Sequence, residues 1–120
     1  MTSFEQVVAH LSAYPGATEE QPFGPDALVY KVGGKMFALI SKNREPLQVN
    51  LKCDPDDAIQ LRGAFAGIIP GYHMNKRHWN TVYLDASVPE PVVLQLMDES
   101  YDLVWKGLTK AGRARLMARI

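Results

Sequence analysis

A chain of 120 residues and 13.4 kDa, 47% apolar and 22% charged, has the composition of one soluble globular domain and no room for a second core. Thirteen Lys/Arg against thirteen Asp/Glu give a formal net charge of zero, which excludes a polyanion binder acting through whole-molecule charge. A single cysteine, Cys53, excludes an intramolecular disulfide, and no apolar run approaches the roughly 20 residues of a membrane helix.

The first element is signalled by Thr2 and Glu5, a T-x-x-E capping box, followed by Phe4, Val7, Val8 and Leu11 at helical spacing. They predict a helix over about residues 3–13 that stops before Pro15-Gly16. The same segment lacks a positively charged start and carries Glu5, so it does not read as a signal peptide. With one cysteine besides, the expected setting is the cytoplasm. Residues 18–23 read as a short edge strand, where Pro22 is tolerated. Residues 28–32 and 35–41 then form two strands of a hairpin, because Gly33-Gly34 supplies the positive φ angles of a type I′ turn. A turn at residues 43–46 leads to a strand over residues 47–52. Leu47, Val49 and Leu51 alternate there with Gln48, Asn50 and Lys52, which predicts one buried and one wet face.

Asp54-Pro55-Asp56-Asp57 starts a helix, with Asp54 as N-cap, proline at the first helical position and carboxylates at the positive end of the dipole. Ala58, Ile59, Leu61, Arg62 and Phe65 carry that helix to Gly67. Strands from residue 68 to about 73 and over 79–84 flank a dense polar cluster. A long helix over about residues 89–106 buries a stripe of Val92, Val93, Leu96, Met97, Tyr101, Val104 and Trp105. The last segment, residues 108–120, reads as a basic amphipathic helix with Lys110, Arg113, Arg115 and Arg119 around Leu116, Met117 and Ile120. The whole is one α+β domain over residues 1–120, in the order α, three strands, α, two strands, α. Two layers are expected: a mostly antiparallel sheet of about five strands with helices on one face, the other face being wet or binding something.

Four stretches also carry a resemblance: PFGPD (22–26), LVYKVGGKMFA (28–38), PGYHMNKRHWNTV (70–82) and SYDLV (100–104). On these the chain resembles the MmcQ/YjbR family of small bacterial proteins. The resemblance implies an α+β fold similar to type III secretion chaperones and, more loosely, to frataxin-like proteins. It also implies a DNA-binding role through exposed hairpins acting as two wings, and it supplies no catalytic residues.

The residues themselves allow the same role. Lys76, Arg77 and His78 are consecutive donors for phosphates or base edges, and Asn75 and Asn80 offer paired donor and acceptor groups. Tyr72 and Trp79 are stacking platforms, and Lys31 and Lys35 place cations on the other hairpin. Charge is skewed to suit this: residues 1–60 hold five Lys/Arg and eight Asp/Glu, residues 61–120 eight and five. Against it stands plain turn chemistry, since Pro70-Gly71 and the asparagines favour tight turns with no ligand at all. His73 and His78 with Cys53 fall short of a four-ligand zinc set, and Lys76 and Arg77 would repel a cation, so no metal is expected. Cys53 lacks a nucleophile elbow and the carboxylates are scattered or act as caps, so no enzyme and no cofactor is expected. The expected partner is double-stranded DNA; the alternative is a protein-interaction module with a chaperone-like fold, in either case a monomer or weak homodimer away from membranes.

Overall fold

The structure is a computed structural model that describes residues 3–72 and 74–119. Helix α1 (Phe4–Ser12) is capped by Ser3, whose hydroxyl accepts the Gln6 N–H at 3.1 Å while Gln6 Oε1 accepts the Ser3 N–H at 3.3 Å. The capping box is therefore one residue on from the expected Thr2/Glu5 pair, because S-x-x-Q satisfies the same reciprocal geometry; Thr2 lies outside the described residues. Strand β1 (Thr18–Glu20) follows, then β2 (Ala27–Val32), β3 (Lys35–Ser41) and β4 (Gln48–Lys52). Helix α2 (Pro55–Ala64) starts on Asp54, whose side chain accepts the Asp56 N–H at 3.0 Å, as its residues predict. Next come β5 (Ile68–Pro70), β6 (Trp79–Tyr83), α3 (Glu90–Lys106) and α4 (Lys110–Arg119). None of the described helices is long and apolar enough to cross a membrane.

The six strands form one sheet in the order β1-β2-β3-β4-β6-β5, and every neighbouring pair is antiparallel. The edge strand expected over residues 18–23 is β1, three exposed residues on one edge; β5, equally short and ending on Pro70, forms the other, and the sheet has six strands where about five were expected. Gly33 and Gly34 adopt φ of 60° and 80°, the left-handed pair a type I′ turn requires. The β2–β3 register shifts between Tyr30 and Lys31, a bulge that turns both Phe37 and Ala38 into the core.

Strand parity sorts the sheet into two faces. Leu28, Tyr30, Ala38, Ile40, Val49, Leu51, Val82 and Ile68 align across the register and are buried in one core with Val7 and Leu11 of α1 and Val93, Leu96, Met97, Tyr101 and Val104 of α3. Ser100 is fully buried within the α3 stripe; its hydroxyl donates to the Phe37 carbonyl at 2.5 Å and accepts the Lys52 N–H at 2.8 Å, which joins α3 to β3 and β4. Tyr14 stacks on Tyr101 with centroids 4.8 Å apart, and Phe37 stands edge-on to both. Ile59 is 66% exposed, because α2 turns Ala58, with the half-buried Leu61 and Phe65, inward instead.

The opposite face carries Val29, Leu39, Asn50, Thr81 and Ile69. Asn50, expected on a wet face, is 7% exposed and Thr81 wholly buried. Part of this face is approached by Tyr72, whose N–H donates to Thr81 Oγ1, and by Met74, which lines a recess with Leu39 and Asn50.

Candidate functional site

The register pairs Val32 with Lys35, Lys52 with Trp79 and Pro70 with Asn80. Antiparallel pairing therefore opens the Gly33-Gly34 turn and the loop over residues 71–78 at the same end of the sheet. Strands β3 and β6 stand two places apart, about 10 Å at the usual interstrand spacing. Strand β4 lies between them and delivers Asp54, Asp56 and Asp57 to the same end.

The loop is closely self-bonded. Gly71 N–H donates to Trp79 O at 2.9 Å, and a Cβ there would sit 2.8 Å from Trp79 Cβ and 2.9 Å from its carbonyl oxygen, so the approach needs glycine. Tyr72 N–H donates to Thr81 Oγ1 at 3.1 Å, and Asn75 Oδ1 accepts the Arg77 N–H at 3.0 Å. His78 N–H donates to Asn75 O at 3.2 Å, while His78 O accepts the Cys53 N–H at 2.8 Å. From α2, Arg62 Nη2 reaches the Lys76 carbonyl at 2.9 Å. Turn chemistry thus accounts for much of the cluster, including the Asn75 side chain. It leaves the Lys76 and Arg77 side chains exposed, with His78 half-buried behind them.

Asn80 requires a correction. It is 3% exposed, its Nδ2 donates to Ala58 O at 3.3 Å, and its Oδ1 is buried without a partner among the described residues. As the second residue of β6 it points under α2, out of reach of a duplex. Trp79 is half-buried and contributes to the loop closure described above. His73 lies outside the described residues.

On the other hairpin Lys35 is exposed, but Lys31 pairs with Glu20 at 3.1 Å. Nor is this hairpin a free wing. A Cβ at Gly33 would lie 2.7 Å from Leu108 Cδ1, because the segment leading into α4 is seated on the turn. Arg115 and Arg119 line a shallow recess with Thr18, Gly33 and Gly34, so the tail's arginines stand beside the hairpin. Their basic spacing was legible in the sequence; their position was not, since only the path after α3 sets it.

Cys53 is 8% exposed, and burial, with Asp57, Glu99 and Asp54 around it, pushes its thiol up to about 11. Such a cysteine is a protonated, inert group near neutral pH. Among the described residues no cluster of three His, Cys, Asp or Glu could hold a metal.

A feature that sequence reasoning missed lies on the open sheet face. Phe23, Leu39, Ser41, Arg44, Gln48, Asn50, Tyr72 and Met74 line a cavity of about 310 Å³. Its signal was present in Tyr72 and Met74, apolar or aromatic residues inside a polar loop, but their partners come from three distant segments.

The YjbR family model matches residues 12–103. The chain is 41% identical to YbdF of Escherichia coli O157:H7 over 95 residues, 79% of this chain and 78% of that protein. It is 33% identical to YjbR of Escherichia coli strain K12 over 99 residues, 82% of this chain and 84% of the relative. A crystal structure of a Deinococcus radiodurans protein superposes with a TM-score of 0.90 at 40% identity, covering 97% of this chain and 88% of the other. A Pseudomonas syringae protein gives a TM-score of 0.74 at 25% identity, over 85% of this chain and 98% of the other. A match over most of the length in sequence and in backbone is accounted for in one way: the chain belongs to the YjbR family.

Proposed function

We propose that this chain is a cytoplasmic, non-enzymatic DNA-binding protein that holds duplex DNA weakly at the end of the sheet where its two basic loops open. The observation that carries this reading is the gathering of exposed Lys76, Arg77 and Lys35 at that end, with Arg115 and Arg119 beside the hairpin. Cations on projecting loops neutralise phosphates without reading sequence. Asn75 is spent on its turn and Asn80 is buried, so neither adds base recognition.

Fluorescence anisotropy of a labelled random-sequence duplex at several salt concentrations tests the reading. Binding in the micromolar range that weakens steeply with salt is expected. The double substitution Lys76→Ala/Arg77→Ala is expected to lower the slope of log affinity against log salt by about 2, one for each lost phosphate contact. Absence of binding at low salt sinks the DNA reading.

One observation favours a second reading, a protein-interaction module: Asp54, Asp56 and Asp57 stand between the basic loops, where a flat polyanion would meet them. A protein surface with its own cations would match that alternation of sign.

A further inference from the structure

We propose that the cavity on the open sheet face is a binding site for a small planar ring that carries a hydrogen-bond acceptor on its edge and one anionic group. Pyrimidine nucleoside monophosphates and heteroaromatic carboxylates share this chemistry. The proposal does not depend on DNA binding, since it uses the face of the sheet and the DNA reading uses its end.

The floor of the cavity is Asn50, 7% exposed. Thr81 Oγ1 receives the Tyr72 N–H at 3.1 Å, which leaves its own proton to donate to Asn50 Oδ1 at 2.5 Å. That chain fixes the amide: Oδ1 is held by Thr81, and Nδ2 has no partner among the described residues. The Asn50 residue is 7% exposed, and its amide N–H donors, not taken by the protein among the described residues, are open to an acceptor that enters the cavity. Asn50 lines this cavity. An in-plane carbonyl or ring nitrogen is the complementary group.

The walls specify the rest. Phe23 is 72% exposed and Tyr72 47% exposed, and both line this one recess. Rings stack on such walls, while Leu39 and Met74 complete the apolar lining. At the rim, the Arg44 guanidinium stands 5.0 Å from the Tyr72 ring centroid, a cation already oriented over an aromatic face and free to meet a carboxylate or phosphate at the opening. The cavity's volume of about 310 Å³ suits a single ring with one substituent and lies at the lower end for ligand sites.

Isothermal titration calorimetry with the intact chain tests the proposal, using uridine 5′-monophosphate and pyridine-3-carboxylate as probes and uridine and pyridine-3-carboxamide as their uncharged counterparts. At least one charged probe is expected to bind with a sub-millimolar dissociation constant and its uncharged counterpart about tenfold more weakly. Preference for the nucleotide or for the carboxylate identifies which source fits. Arg44→Ala should remove the difference between charged and uncharged probes. Phe23→Ala, at a side chain that contributes nothing to the core, should weaken both at least fivefold without altering the fold. Lys76→Ala/Arg77→Ala should leave probe binding unchanged even where it abolishes duplex binding. No heat with either charged probe at millimolar concentration overturns the proposal, as does binding that survives both Arg44→Ala and Phe23→Ala.

Discussion

Ser100 occupies a position in the stripe of α3 where an apolar residue is the simple expectation, and its two hydrogen bonds explain why a hydroxyl is tolerated there. Removing it leaves a buried carbonyl on Phe37 and a buried N–H on Lys52 with one partner fewer. Ser100→Ala is expected to lower stability by about 1–3 kcal/mol, measured by urea denaturation; an unchanged midpoint would mean that these bonds contribute nothing net. Cys53 gives a second test at this scale. Its thiol, pushed up to about 11 by burial first and then by nearby carboxylates, keeps its proton where an unfolded thiol has lost it. Burial also raises the hydroxyls of Tyr14 and Tyr30, the first reinforced by Asp98 and the second by Glu19. For all three the protonated form is the one the fold favours. Their contribution is therefore complete below about pH 9 and is lost as pH climbs through the raised values. Urea midpoints should hold steady from pH 7 to about 9 and fall above it, with Cys53→Ala blunting the earliest part of that fall. The asparagines show where sequence reasoning stops at this scale. Asn75 and Asn80 look alike in the chain, but one closes a turn and the other is buried under α2. Only strand parity, together with the packing of α2, separates them.

At the scale of elements, the hairpin between β2 and β3 was fully legible, because two consecutive glycines between alternating strands leave one turn type. Its two glycines are nevertheless unequal. Gly34 has φ of 80° with nothing within 4 Å of an added Cβ, whereas Gly33 has φ of 60° and faces Leu108. Gly34→Ala should cost about 1 kcal/mol through backbone strain alone. Gly33→Ala adds displacement of Leu108 and should cost measurably more, checked by thermal melts of the two variants; equal melting temperatures would show that the packing on the hairpin is loose. Helix α2 was likewise legible at its start, from Asp54 and Pro55, and not in its buried face. Its apolar residues do not follow one stripe, so periodicity could not show that Ala58 and not Ile59 meets the sheet. The cavity on the open face was illegible for a related reason. It exists because Gly71 lets the loop lie against Trp79, bringing Tyr72 and Met74 over β3 and β4. No local pattern encodes which distant strand a loop will cover.

For the whole molecule, charge distribution matters more than its zero sum. Lys76, Arg77 and Lys35 share one sheet end with Asp54, Asp56 and Asp57, so attraction and repulsion compete within a Debye length of each other. Asp56→Asn/Asp57→Asn should therefore tighten duplex binding several-fold at low salt in the anisotropy assay, while sparing the Asp54 cap. Unchanged affinity instead would place the duplex away from this end.

The edges of the sheet bear on how the molecule behaves in a crowd of its own copies. One edge is β1, three residues long, with Glu19 held by the Tyr30 hydroxyl at 2.6 Å and Glu20 by Lys31. The other is β5, also three residues, ending on a proline that has no N–H to offer. Neither is long or apolar enough to template a further strand, and charge or proline interrupts both. Sheet growth from copy to copy is thereby discouraged, which favours resistance to aggregation at high concentration. Any protein partner is left with the loops and the open face rather than strand addition as its means of attachment.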